Sequence, residues 1–182
     1  AATTQPYYRQ GSVPQESQMS VHSPSITSLQ NGNLLAAWYG GSREGGQDVR
    51  VYYSIFNHKS GEWQTASTLT GPAETEADLA RHIRKVGNPV LVTDTTGKVW
   101  LFYVTVSIGG WSGGAVNYRT STDNGDHFGP AKRLITTPFF NISTLVRTTP
   151  ILYQDGTIGL PVYHELFGKF GELLRVGADG TV

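Results

Sequence analysis

One motif occurs three times in this chain, and it constrains the fold more tightly than any single residue does. The first copy runs Val21-His22-Ser23-Pro24-Ser25-Ile26, then Asn31-Gly32, then Leu34-Leu35-Ala36-Ala37-Trp38-Tyr39. The second runs Val86-Gly87-Asn88-Pro89-Val90-Leu91, then Thr96-Gly97, then Val99-Trp100-Leu101-Phe102-Tyr103. The third runs Arg147-Thr148-Thr149-Pro150-Ile151-Leu152, then Asp155-Gly156, then Ile158-Gly159-Leu160-Pro161-Val162-Tyr163. The prolines are 65 and 61 residues apart, a period near the upper end for propeller blades. Apolar β-formers flank a Gly turn in each copy, so each reads as a strand, a tight hairpin and a longer strand.

Two further strands follow in the first two copies. In the first they are Asp48 to Phe56, a turn over Asn57 to Gly61, and a last strand opened by Trp63. In the second they are Ala115 to Ser121, a turn over Thr122 to Asp126, and Lys132 to Ile135. Four antiparallel strands per unit, repeated along the chain, describe propeller blades. The third unit is shorter: its third strand is expected over Glu172 to Val176, and Val182 follows just after Asp179-Gly180. The expected fold is all-β, a partial β-propeller of four-stranded antiparallel blades. Its organisation is an N-terminal extension over 1–19, blade 1 over 20–70, a connector over 71–85, blade 2 over 86–137 and an incomplete blade 3 over 146–182. A closed ring needs roughly four to eight blades. Closure is therefore expected from the remaining blades of a longer parent chain or from another copy, pairing with the open blade edges.

Composition narrows the function classes. Charged residues are 15% and the formal net charge is zero, which leaves no basic face for nucleic acid. No apolar run is long enough for a membrane span. With no cysteine there is neither a disulfide framework nor a thiolate metal site. Asp123-Asn124-Gly125-Asp126 lacks the spacing of a calcium loop, so no metal and no other cofactor is expected. The chain begins at Ala1 rather than Met, as a trimmed exported protein does, so a secreted or periplasmic location is expected. Asn141-Ile142-Ser143 has the form of a glycosylation sequon, a pattern that a chain rich in Asn, Ser and Thr also yields by chance.

The run from Ser121 to Phe128 has the form S-x-D-x-G-x-x-F. In such a turn Ser and Asp bond the hairpin backbone, Gly takes the left-handed position and the aromatic ring packs on the blade. Asp123 and Asp126 thus read as structural. Worn counterparts are Ser54 with Phe56 and Trp63, and Gly177 with Asp179 and Gly180. This pattern, with the phased Pro and Gly copies, resembles the Asp-box or BNR repeat of the sialidase superfamily from about Val21 to the C-terminus. The resemblance implies two and a half to three blades of a six-bladed propeller. It also implies a carbohydrate-active protein whose partner is an acidic glycan or oligosaccharide.

In a four-stranded antiparallel blade, the chain entering strand one and the loop between strands two and three share one end; both tight hairpins share the other. His, Arg, Glu, Trp and Gly gather at the first end, where long loops mark the binding face. Arg43, Arg81, Arg84 and Arg147 are candidates to grip a carboxylate in a bidentate fork, with Asn88 and Glu165 beside them. Trp111, between glycine pairs, is a candidate platform for a pyranose ring. Glu44 or Asp48 is the candidate general acid, and His22 and His164 offer a neutral base at pH 7. Plainer readings compete: Arg81 to Lys85 as the cationic end of a short helix, Asp48 as a pin for its strand, Trp38 and Trp100 as packing. Tyr163 fits either face.

Sialidases usually begin the first blade with Arg-Ile-Pro, whose Arg binds the substrate carboxylate; here those positions are His22-Ser23-Pro24. Their acid/base Asp lies in the loop after strand two of that blade, where this chain offers Glu44 and Asp48. Their Tyr nucleophile and its Glu partner would lie beyond Val182. Three functions stay open. One is an exo-acting, sialidase-like glycoside hydrolase. The second is a propeller-fold polysaccharide lyase, in which His22 or His164, with Tyr163, abstracts the proton beside a uronate carboxylate neutralised by Arg or Asn88. The third is a non-catalytic glycan-binding propeller.

Overall fold

The structure, a computed structural model, describes Tyr8, residues 10–14 and residues 20–182. Most of the expected N-terminal extension, 1–19, lies outside the described residues. Three antiparallel sheets follow one another along the chain. The first holds β1 (Ser20–Ser28), β2 (Leu34–Gly41) and β3 (Arg50–Asn57), with an outer strand in two pieces, β4 (Glu62–Trp63) and β5 (Ser67–Thr70). Helix α1 (Pro72–Leu79) leads to the second, made of β6 (Lys85–Thr93), β7 (Val99–Val106), β8 (Gly114–Ser121) and β9 (Lys132–Arg133). In the third the inner strand is split into β10 (Leu145–Val146) and β11 (Ile151–Leu152), both paired with β12 (Ile158–His164), which carries β13 (Phe170–Val176) on its other side. This is the all-β partial propeller that the repeats imply.

The middle blade explains why the stack holds. Strand β7 reads Val-Trp-Leu-Phe-Tyr-Val-Thr-Val and is buried along its whole length. A strand covered on both faces has no reason to alternate with polar residues. Its Val99, Leu101 and Tyr103 join the core shared with blade 1, while Trp100, Phe102 and Val104 join the core shared with blade 3. Burying each such side chain contributes roughly 1.5–3 kcal/mol, so the blade-to-blade cores carry the fold.

At the hairpin end, Gly32, Gly97 and Gly156 hold φ between +82 and +87 at the same phase of each repeat, the left-handed position that favours glycine. Boundaries depart from the sequence reading where side chains redirect the chain. The third strand of blade 1 begins at Arg50 rather than Asp48, because the Asp48 carboxylate turns back to accept from Ser42 N (2.7 Å) and Oγ (3.0 Å). Strand β9 stops at Arg133 rather than Ile135, because Asn141 Oδ1 takes the Thr136 amide (2.8 Å) and hydroxyl (2.6 Å) and bends the segment. Strand β13 begins at Phe170, two residues ahead of the expected Glu172. The helix ends at Leu79, with left-handed Ala80 capping it. Arg81 to Lys85 therefore lie past the helix and are not its cationic last turn. Asn141 donates its side-chain amide to Leu134 O (2.7 Å), so the sequon asparagine braces its own loop. No helix among the described residues is long and apolar enough to cross a membrane.

Candidate active site

Two strand irregularities build the centre of the loop end. Register shifts fall between His22 and Ser25 in β1 and between Gly87 and Val90 in β6. Each is a bulge at the motif's X-Pro step, and the residue before each proline sits in the left-handed region: Ser23 at φ 48, Asn88 at φ 49. A residue preceding proline is normally held extended, and a non-glycine residue here is strained by about 1–3 kcal/mol. Bulges re-aim side chains. These two bring Ser23 and Asn88 together, with Ser23 Oγ donating to Asn88 Oδ1 at 3.5 Å across two blades. In blade 3 the same step is widened, and Arg147 to Pro150 form an unpaired stretch between Val146 and Ile151.

The three blade starts converge on a cavity of about 420 Å³. His22, Ser23 and Tyr39 line it from blade 1 and Asn88 from blade 2, with Arg147 and Tyr163 from blade 3; Glu44, Trp111 and Glu165 reach it from the loops. Tyr39 donates to Glu44 Oε1 at 3.4 Å, and the His22 ring stacks on Tyr39 with centroids 5.5 Å apart. Burial raises the Tyr39 phenol above its ordinary value, the Glu44 carboxylate raises it further, and Arg147 pulls the other way. Tyr163 is a near mirror: burial and Glu165 push its phenol up, while Arg147 and a bond to Asn88 oppose them. Arg147 thus bears on two tyrosines, each coupled to a glutamate, and it makes no ion pair among the described residues.

Trp111 stands on a 3-10 turn, Trp111–Gly113. A Cβ on Gly87 would lie 2.6 Å from its Cη2 atom, so a side chain there would evict the indole. Lys85 Nζ lies 4.1 Å from the ring centroid, and burial and Arg84 push this ammonium below the ordinary lysine range while Glu44 pulls it back.

Of the sequence candidates, Glu44, His22, Asn88, Trp111, Arg147 and Glu165 share this cavity. The others lie elsewhere. Asp48 caps its own loop through Ser42, which holds its carboxyl below the usual aspartate range. His164 points to the opposite side of β12 from Tyr163, bonding Glu172 Oε2 (3.0 Å) and stacking on Phe170. Arg84 lines a separate cleft beside α1 with His82 and Gln47; Arg43 and Arg81 are exposed. Sequence reasoning missed Tyr39 and left Tyr163 undecided, although both end the second strand of their copies at the same phase, Trp-Tyr-Gly and Val-Tyr-His. That shared phase was the available signal. Lys85 was read only as one of a basic run.

The family model described as the BNR repeat-like domain matches residues 32–182. The chain belongs to the BNR repeat-like family. No curated protein matches the sequence. Among solved structures, a protein of unknown function from Dyadobacter fermentans superposes with a TM-score of 0.71 at 12% identity, over 92% of this chain and 54% of its own. The Hadza microbial sialidase Hz136 gives 0.69 at 15% identity over 88% and 36%. The leech intramolecular trans-sialidase gives 0.60 at 11% over 88% and 44%. This BNR chain therefore spans about a third to a half of the length of these structures. At such identities the likeness speaks for the fold.

Proposed function

We propose that this BNR propeller segment is carbohydrate-active and contributes the pocket of an exo-acting glycoside hydrolase for terminal acidic sugars. The observation that carries the reading is Arg147, without an ion pair among the described residues, set between two Tyr–Glu pairs in a polar cavity. Its guanidinium suits a sugar carboxylate, and Trp111 offers a ring face beside it. Glu44 donates a proton to the glycosidic oxygen as the C–O bond breaks; as a carboxylate it then accepts one from the attacking water. Ser23 and Asn88 orient sugar hydroxyls, and the sialidases among the structural neighbours support the substrate class.

The test is Glu44→Gln assayed by sugar release from sialosides and uronosides. Release abolished with an unchanged melting temperature supports the reading; undiminished release sinks it. One contact favours a lyase instead: Tyr163 bonds Asn88 in the cavity that holds His22. That reading requires an ultraviolet-absorbing unsaturated uronate among the products, and uronate polymers left without it would exclude it.

A further inference from the structure

A second cleft, of about 710 Å³, lies beside α1 at the seam between blades 1 and 2. Both flanking blades are present in this chain, so its exposure is not that of an open ring edge. The helix that forms one wall is fixed to blade 2. Asp78 Oδ2 accepts from Arg119 and from the Ala131 amide (2.8 Å), and Thr75 Oγ1 lies 3.0 Å from the buried Tyr103 hydroxyl. Ala80, at φ 47, turns the chain back along the helix, a left-handed conformation that a non-glycine residue keeps only where the surroundings impose it. The returning Ile83 amide donates to Glu76 Oε2 (2.9 Å), and His82 Nδ1 lies 3.2 Å from the same oxygen. These ties make the cleft a built one, as small-molecule sites are.

Its polar lining has bonding capacity left. Both bonds of the Glu76 carboxylate fall on Oε2, and no donor among the described residues reaches Oε1. Gln47 and Arg84 are exposed, and their side chains form no hydrogen bond or ion pair among the described residues. The Ile83 amide holds the Glu76 carboxyl below its ordinary range, so at neutral pH the lining carries a carboxylate and a guanidinium. An anion would meet Glu76, and a cation would meet Arg84. A neutral sugar suits both, because each hydroxyl donates and accepts, and Pro72 and Ala73 give its C–H face an apolar wall. The cleft adjoins the pocket. Gln47 follows Glu44 by three residues, on a turn closed by Gly46 N–H to Arg43 O (3.1 Å), so their Cα atoms are at most about 11 Å apart. Arg84 precedes Lys85, whose Nζ lies 3.8 Å from where a Cβ on Gly45 would stand. A general acid marks the side from which the leaving group departs, and the loop that carries Glu44 also carries Gln47.

We propose that the α1 cleft binds the neutral sugar units that follow the terminal acidic sugar, so that the leaving group is an oligosaccharide. This rests on the glycosidase reading of the pocket, and the test reads binding so that the two fail separately. The full chain carrying Glu44→Gln, which prevents turnover, is titrated calorimetrically with 3′-sialyllactose and with glucuronosyl-xylobiose. Each is compared with the methyl glycoside of its acidic sugar alone. One of the trisaccharides is expected to bind about tenfold or more tighter than its methyl glycoside. Adding Gln47→Ala/Arg84→Ala should remove that gain and leave the methyl glycoside's affinity as it was. Because both side chains are exposed and unbonded, the melting temperature should not move. Trisaccharides that bind no tighter than their methyl glycosides overturn the cleft and leave the pocket standing, as does a gain that survives the double variant. Absence of binding by all four sugars overturns both.

Discussion

The carboxylates of the hairpin turns and those that line the pocket at the other end of the blades are held in opposite ways. At the hairpin end Asp94, Asp123, Asp155 and Asp179 are taken up by their own turns. Asp94 accepts from Thr96 N and Oγ, Lys98 N and Trp100 Nε1. Asp123 accepts from Ser121 and from the amide and ring of His127, and Asp155 and Asp179 accept from the threonine two residues on. At the loop end, Glu44 has one long bond from Tyr39, and among the described residues no donor reaches the Glu165 carboxylate. A carboxylate has about four lone-pair sites. Those of Asp94 are filled by the fold, and those of the two glutamates stay open to a ligand.

The sharpest way to break this contrast is to remove one carboxylate from each end. Glu44→Gln should lower kcat by about 10²- to 10⁴-fold, the range for a lost general acid, and leave thermal unfolding unmoved. Asp94→Ala should do the reverse. It strands the buried Trp100 indole N–H and two turn amides, at a cost of about 2–4 kcal/mol by denaturant titration, with catalysis per folded molecule intact. Stability loss in the first variant, or catalytic loss in the second, would dissolve the division.

A pH titration sharpens the hairpin half. Burial works to raise the Asp94 carboxyl, but bonds from Thr96, Trp100 and Lys98 outweigh it and hold it below its ordinary 3.8. The unfolded chain then binds the proton more tightly than the folded one. The contribution is complete above the unfolded value and is lost as pH falls through the lower folded value. Between pH 4 and acid unfolding, wild type should lose stability more steeply than Asp94→Asn; parallel curves would show that Asp94 does not couple folding to pH.

The fold was legible because it is written three times: phased prolines, turn glycines and apolar runs each repeat, and β7 is apolar on both faces because two blades cover it. The site was half legible. Glu44, His22, Asn88, Trp111, Arg147 and Glu165 follow from strand polarity alone, which assigns each loop to an end. Asp48 and His164 lie at the correct end, yet local bonds to Ser42 and Glu172 turn them aside, and no periodicity encodes a side chain's choice of partner. Tyr39 was masked by its apolar strand, and the bulges that aim Ser23 and Asn88 are register events that only cross-strand pairing reveals.

Gly87→Ala tests the seat of Trp111 with a smaller effect. The added Cβ would meet the indole at 2.6 Å, so the ring must leave its place under Lys85. KM for an acidic glycoside should rise about 3- to 10-fold, in line with the roughly 0.5–1.5 kcal/mol of an aromatic contact, while kcat changes little. An unchanged KM would remove Trp111 from the binding surface.

The smallest effect should come from Ser23→Gly, and its sign is the informative part. Glycine within a strand ordinarily destabilises by about 0.5–1 kcal/mol. At Ser23 the residue is held at φ 48 ahead of Pro24, and relieving about 1–3 kcal/mol of strain should offset that, for a net gain of about 0–2.5 kcal/mol. Asn88→Gly should gain less, since asparagine tolerates the left-handed region better than serine. Both variants remove a polar group from the cavity, so each should bind its glycoside more weakly while unfolding no earlier. A Ser23→Gly protein less stable than wild type would mean the bulge is relaxed, and that the convergence of Ser23 and Asn88 is a by-product of strand pairing rather than strain held for the pocket.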